Sequence, residues 1–168
     1  MRKLWVMIVG VVILGLINFS ILSREGLISD GKTVLLELAP VDPRSLMQGD
    51  YMALRFAVTA AARKAMRAPL ADGINEVAGD GHIILLLDER GVGRFSRIDD
   101  QTDLSAAEVR MLYRKRGNRI QFATNAFFFQ EGKAELYEAA KYGEFKVANN
   151  GDSILVAMLD ENMKRIGD

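Results

Sequence analysis

The sequence predicts a mainly β domain, an antiparallel sandwich or barrel-like fold carrying one or two short helices, preceded by an N-terminal transmembrane helix. Three observations lead there. Residues Leu4 to Leu22 form an apolar run broken only by Asn18 and Ser20. After Gly73 the chain is a succession of short β-rich runs separated by Gly, Asn and Asp turn signals. Beyond the apolar run only Thr59 to Ala68 and Lys133 to Tyr142 have the composition of helices.

The apolar run comes first. At ~1.5 Å per residue, about 19 residues span roughly 30 Å, the thickness of a bilayer's hydrocarbon core. The exit Phe19, Ser20, Ile21, Leu22, Ser23 has no small-residue cleavage pair, so the run is expected to stay as an anchor. Arg2 and Lys3 precede it, while Arg24 beyond it is offset by Glu25; the positive-inside rule then keeps the N-terminus in the cytoplasm. The expected division is a cytoplasmic stub over residues 1–3, a bilayer-spanning anchor over 4–22, a connector over 23–32 and one exported domain over 33–168.

Within that domain, Thr33 to Leu38 is rich in β-formers and halts at Ala39-Pro40. An ordered loop containing Pro43, Gly49 and Asp50 leads into Tyr51 to Val58. There Met52, Leu54, Phe56 and Val58 alternate with Tyr51 and Arg55, as a half-buried strand would. The helix Thr59 to Ala68 follows and ends at Pro69. Asp80-Gly81 is a hairpin signal, His82 to Leu87 a central strand, and Gly91-Val92-Gly93 a bend into Arg94 to Ile98. Glu108 to Arg116 alternates again. A two-residue turn at Gly117-Asn118 would pair Tyr113 with Phe122 and Lys115 with Ile120. The helix from Lys133 would stop at Gly143, before strands Phe145 to Ala148 and Ser153 to Leu159.

Composition excludes several classes. The 168 residues hold 22 Lys+Arg, 22 Asp+Glu, one His, no Cys and 49% hydrophobic residues, which rules out a disordered, collagen-like or disulfide-stapled chain. Without Arg2 and Lys3 the remainder carries 20 basic and 22 acidic residues, so no nucleic-acid footprint is expected. No cofactor is implied. Asp88, Asp99, Asp100 and Asp103 lack the spacing of a calcium loop, and no metal site is expected.

At Gly49-Asp50-Tyr51-Met52-Ala53-Leu54-Arg55-Phe56 the sequence resembles the bacterial membrane-anchored family named for its GDYXXLXY motif. Pro40 to Gln48, Phe127 to Gly132 and Ala140 to Glu144 look like that family's other fixed features. Phe56 departs from the pattern, standing where the family has Tyr, so no proton-transfer role attaches to that position. The resemblance implies a membrane-anchored protein of the bacterial inner membrane, in a family without an established activity whose members tend to accompany polytopic membrane proteins.

Candidate binding residues follow from residue type. Asp42, Arg44, Gly49, Asp50, Tyr51 and Arg55 would form a polar face for a partner, since Arg and Tyr are enriched at interface hot spots. Phe127, Phe128 and Phe129 cannot all face one core from a single strand, which makes an aromatic such as Phe129 a docking candidate together with Gln130 and Glu131. Gln130 and Glu131 could instead cap the following helix. His82 is expected as a hydrogen-bonded strand-end residue. The expected function is docking on a polytopic membrane protein from a single-pass anchor, with the domain periplasmic or extracellular. Two alternatives are a hydrolase using Ser45 as nucleophile and Lys115 as base, distantly like signal peptidases, and a small-ligand sensor.

Overall fold

A computed structural model describes residues 2–39, 47–48, 51–67, 79–116, 119–124 and 126–167. It begins with helix α1 (Arg2–Asp30). Asn18 and Ser23 donate their side-chain hydrogens to the carbonyls of Leu14 and Phe19, both at 2.9 Å, so two of its polar groups are satisfied within the helix itself. The segment from Trp5 to Asp30 is long and apolar enough to cross a membrane. Residues 23–30, expected to be a connector, continue the helix, and only Gly31 intervenes before strand β1 (Lys32–Glu37).

Three antiparallel sheets follow, as the alternating runs require. The first has the order β1-β9-β10, with β9 (Tyr142–Val147) between β1 and β10 (Ser153–Leu159). The second places β3 (Tyr51–Ala53) between β2 (Met47–Gln48) and β8 (Ala126–Phe128). The third runs β5-β4-β6-β7, from β4 (Gly81–Leu87), β5 (Gly93–Ile98), β6 (Glu108–Arg116) and β7 (Arg119–Phe122). Tyr113 pairs with Phe122 and Lys115 with Ile120, the register expected from a two-residue turn; Gly117 and Asn118 themselves lie outside the described residues.

One core joins the sheets. Val34 and Leu36 of β1, Phe145 and Val147 of β9 and Met158 of β10 meet Ile83, Leu85, Met111 and Tyr113 from β4 and β6. Burying such side chains removes apolar area from water at about 25 cal/mol per Å², the main favourable contribution to the fold. Helix α2 (Ala57–Arg67) closes the core with Val58, Ala62 and Met66, one residue per turn on a single stripe. On the outer face of β4, Ile84 is also buried, with the half-buried Arg97 and Arg110 directly opposite it on β5 and β6.

Four expectations are corrected. The strand read over Tyr51 to Val58 ends at Ala53, and α2 starts at Ala57 instead of Thr59. Met52, Leu54, Phe56 and Val58 are nevertheless all buried, but Val58 is buried as the first member of the helical stripe it forms with Ala62 and Met66. Asp80-Gly81 does not close a hairpin onto β4, since β5 and β6 already occupy both edges of that strand. Asp80 accepts hydrogen bonds from the Lys115 N–H and the Arg116 side chain. The helix expected from Lys133 to Tyr142 is a single turn, α3 (Ala134–Tyr137). Its would-be second half is drawn into the sheet: Lys141 N–H donates to the Leu159 carbonyl, Leu38 N–H donates to the Lys141 carbonyl, and Tyr142 pairs with Glu37. Tertiary pairing has overridden helix propensity there. Gly143, expected as a helix stop, lies inside β9, where a Cβ would approach Phe56 and Leu155 at 3.1 Å.

His82 locks the sheets together. Its Nε2 lies 3.1 Å from the Asn150 carbonyl, so the proton sits on Nε2 and the imidazole donates. Next to it Gly151, at φ +89, presents its carbonyl to the Leu112 N–H of β6 at 2.8 Å. A Cβ on Gly151 would stand 2.7 Å from His82 Cδ2. Gly151→Ala is therefore expected to cost about 2 kcal/mol from the left-handed backbone and the clash. Thermal unfolding of the full chain in detergent checks this, with Gly26→Ala, in open space on α1, leaving the midpoint unlowered.

Candidate functional site

The motif segment turns a corner. After β3, Leu54 and Phe56 drop into the core while Arg55 stays exposed. The corner is fixed by its backbone: the Ala39 N–H donates to the Arg55 carbonyl at 2.7 Å, and Leu38 bridges Phe56. Phe56 meets Phe145 edge to face at 5.3 Å between centroids, a packing geometry that needs no phenol. The motif's last position is thus an anchor in the core.

Turning the chain there opens a cleft of about 510 Å³ between the corner, α2 and β7. Its walls include the apolar Leu54, Phe56, Ile120 and Phe122, and its polar groups are Arg55, Thr59, Arg63, Gln121 and Thr124. Thr59 and Arg63 are one helical turn apart, on the face of α2 beside the buried stripe. Among the described residues no carboxylate lines the cleft, and neither Arg55 nor Arg63 has an ion-pair partner. Two guanidinium groups on the walls of one cleft, over an apolar lining and with no described carboxylate among them, favour a ligand that is partly apolar and carries negative charge.

Of the sequence-predicted residues, Tyr51 is half-buried and pairs across β3 and β8 with Phe128, the rings 5.8 Å apart. Asp42, Arg44, Gly49 and Asp50 lie outside the described residues, as does Ser45. Lys115, its proposed base, is half-buried on the same side of β6 as Met111 and Tyr113. The aromatic run resolves by alternation. Phe127 and Phe129 both pack on Tyr137, at 5.2 and 5.0 Å, so Phe129 is not the projecting ring; Phe128 is, with 75% of its surface exposed. Gln130 and Glu131 are exposed and supply no side-chain cap to α3, whose N-cap is Lys133. Arg63, Thr59 and Gln121 were not singled out from the sequence. Arg63 could have been found from its spacing to Thr59, but the strand assigned through Val58 hid the frame of the helix.

Asp99, Asp100 and Glu108, where β5 passes into β6, are bound to arginines. Asp99 accepts from Arg110 Nε at 2.7 Å, Arg97 bonds Glu108 and Thr102, and Asp100 accepts from Thr102. Asp88 accepts two backbone N–H groups of its own turn, from Arg90 and Val92. Among the described residues no three His, Asp or Glu side chains gather as a metal would require. Burial raises the Asp99 carboxyl pKa, but the hydrogen bonds from Arg110 and the Gln101 N–H outweigh it and hold the group below the ordinary carboxylate range. The Ser105 N–H, against a smaller effect of burial, holds Glu108 low in the same way.

A family model described as GDYXXLXY protein matches residues 13–158. None of the curated proteins and none of the solved structures matches the chain.

Because the folded pKa of Asp99 is depressed, its contribution is fully present above about pH 4 and is lost as pH falls through the lower folded value. Asp99→Asn is expected to cost about 1–3 kcal/mol at pH 7 and to flatten the acid limb of stability. Urea midpoints measured at intervals from about pH 5 down to pH 2 check both parts, with a parallel fall in variant and wild type contradicting the assignment.

Proposed function

The chain belongs to the GDYXXLXY family, and from that premise we propose that it is a single-pass protein of the bacterial inner membrane whose exported domain docks on a polytopic membrane partner. The N-terminal helix supports the anchoring, because its length and composition suit a bilayer and none of its apolar window is buried against the domain. Arg2 and Lys3 ahead of it support an outward-facing domain. The observation that carries the docking is the cleft, in which Arg55 and Arg63 stand over Leu54, Phe56 and Phe122 with no ion-pair partner among the described residues. It suits an extramembrane segment that presents a carboxylate beside apolar side chains. Confinement to the layer beside the membrane raises the effective concentration of such a segment, so modest intrinsic affinity suffices.

A small-ligand sensor is the second reading, favoured by a cleft volume within the usual span of ligand sites, roughly 300–1,000 Å³. An amphipathic anion would use the same two arginines, so partner recovery separates the readings.

Chemical crosslinking of the full chain in native membranes followed by purification is expected to recover one specific membrane companion. Arg55→Glu combined with Arg63→Glu is expected to reduce that recovery at least tenfold while leaving thermal unfolding of the domain within about 0.5 kcal/mol of wild type, as for exposed substitutions generally. Recovery of no companion by the wild-type chain, or equal recovery by the double variant, would contradict the docking role of the cleft.

A further inference from the structure

Phe128 stands on the side of the domain nearest the exit of α1. It is the most exposed large apolar side chain outside α1 among the described residues. Its exposure is built in: Phe127 and Phe129 are pinned on Tyr137, so strand alternation obliges Phe128 to project, and Tyr51 supports its ring from the neighbouring strand. The ring therefore holds a fixed apolar surface in water, and covering it is favourable.

The occupant is indicated by position. Phe127 and Phe128 line a groove of about 410 Å³ together with Ile154 and Leu155 of β10 and with Arg24 of α1. Arg24 is two residues past Leu22, the last residue of the apolar run. With Leu22 at the edge of the hydrocarbon, Arg24 falls at the level of the lipid headgroups, where an arginine can meet phosphate. From Arg24 to Gly31 the helix advances about 10 Å, and β9 and β10 lie back along these final turns. The edge of the domain that carries Phe128 is thereby brought down to the level of Arg24.

We infer that this edge, with Phe128 at its tip and Arg24 beside it, seats in the interfacial zone of the same bilayer that α1 spans. The lipid surface is the occupant because the one residue of α1 that lines the groove, Arg24, stands two positions past the end of the apolar run. Aromatic side chains partition into that zone, and the second contact fixes the tilt and rotation of the domain about its anchor. The cleft holding Arg55 and Arg63 would then be presented to the partner in one orientation. The inference rests on the membrane-spanning reading of α1 proposed above.

Trp5 is the chain's only tryptophan, so fluorescence separates the two ideas. The full chain is reconstituted into phosphatidylethanolamine–phosphatidylglycerol vesicles with and without brominated acyl chains, in three forms: wild type, Trp5→Phe with Phe128→Trp, and Trp5→Phe with Glu161→Trp. Brominated lipid is expected to quench the wild-type and Phe128→Trp proteins about twofold or more and to leave Glu161→Trp, exposed beyond the end of β10 opposite to the one beside Arg24, unchanged. Quenching of Trp5 without quenching of Phe128→Trp overturns the interfacial contact and leaves the anchor intact. No quenching of Trp5 overturns the anchor and the contact together. A blue-shifted Phe128→Trp emission that bromine does not quench assigns the edge to a second copy of the chain and overturns the lipid contact.

Discussion

Gly31 is all that separates the last turn of α1 from the first residue of β1, and its N–H donates to the Leu27 carbonyl at 3.0 Å. A side chain there would place a Cβ 2.4 Å from that same carbonyl oxygen, on backbone that cannot step aside. The first strand is therefore a direct continuation of the helix. Lys146 of the neighbouring β9 binds the Thr33 hydroxyl, and Lys32, the first residue of β1, reaches the Ala106 carbonyl just ahead of β6, so the junction is also tied to the third sheet. Whatever holds α1 holds the domain at short range and in a restricted orientation. A flexible tether of the same length would confine it without orienting it.

The rest of the architecture makes that junction rigid enough to matter. Phe56 and Phe145 join the motif corner to the central strand of the first sheet, and His82 with Gly151 joins that sheet's terminal hairpin to β4 and β6. Glu144, the one buried charged side chain among the described residues, accepts from Nε and Nη2 of Arg165 at 2.8 and 2.9 Å, which ties the C-terminal segment to β9. With the backbone corner fixed at both ends, Arg55 faces the cleft from a constrained position. The described residues of the motif are thus chiefly a device for turning the chain, and the charge of Arg55 follows from where the corner stands.

Much of this was legible in the sequence, where one physical signal dominated. The register of β6 on β7 followed from a two-residue turn, because turn length and the alternation of Met111, Tyr113 and Lys115 both specify it. The length of the apolar segment followed from composition. The failures occurred where two periods overlap or a distant partner decides. Val58 fits both the period-two series from Met52 and the helical series with Ala62 and Met66, and the helix won. Lys141 and Tyr142 have helical neighbours in sequence, yet β1 and β10 recruit their backbone. Tyr51 and Arg55 could be picked out by residue type. Arg63 and Phe128 required knowledge of which elements meet, since one depends on the corner at Arg55 and the other on Phe127 and Phe129 being held by Tyr137.

Because the chain contains no cysteine, its topology can be read from a single introduced thiol. Glu161→Cys sits on an exposed turn after β10. A membrane-impermeant maleimide added to intact spheroplasts is expected to label it fully, with no gain on lysis, if the domain lies outside the inner membrane. Labelling that appears only after lysis would place the domain in the cytoplasm and contradict the account.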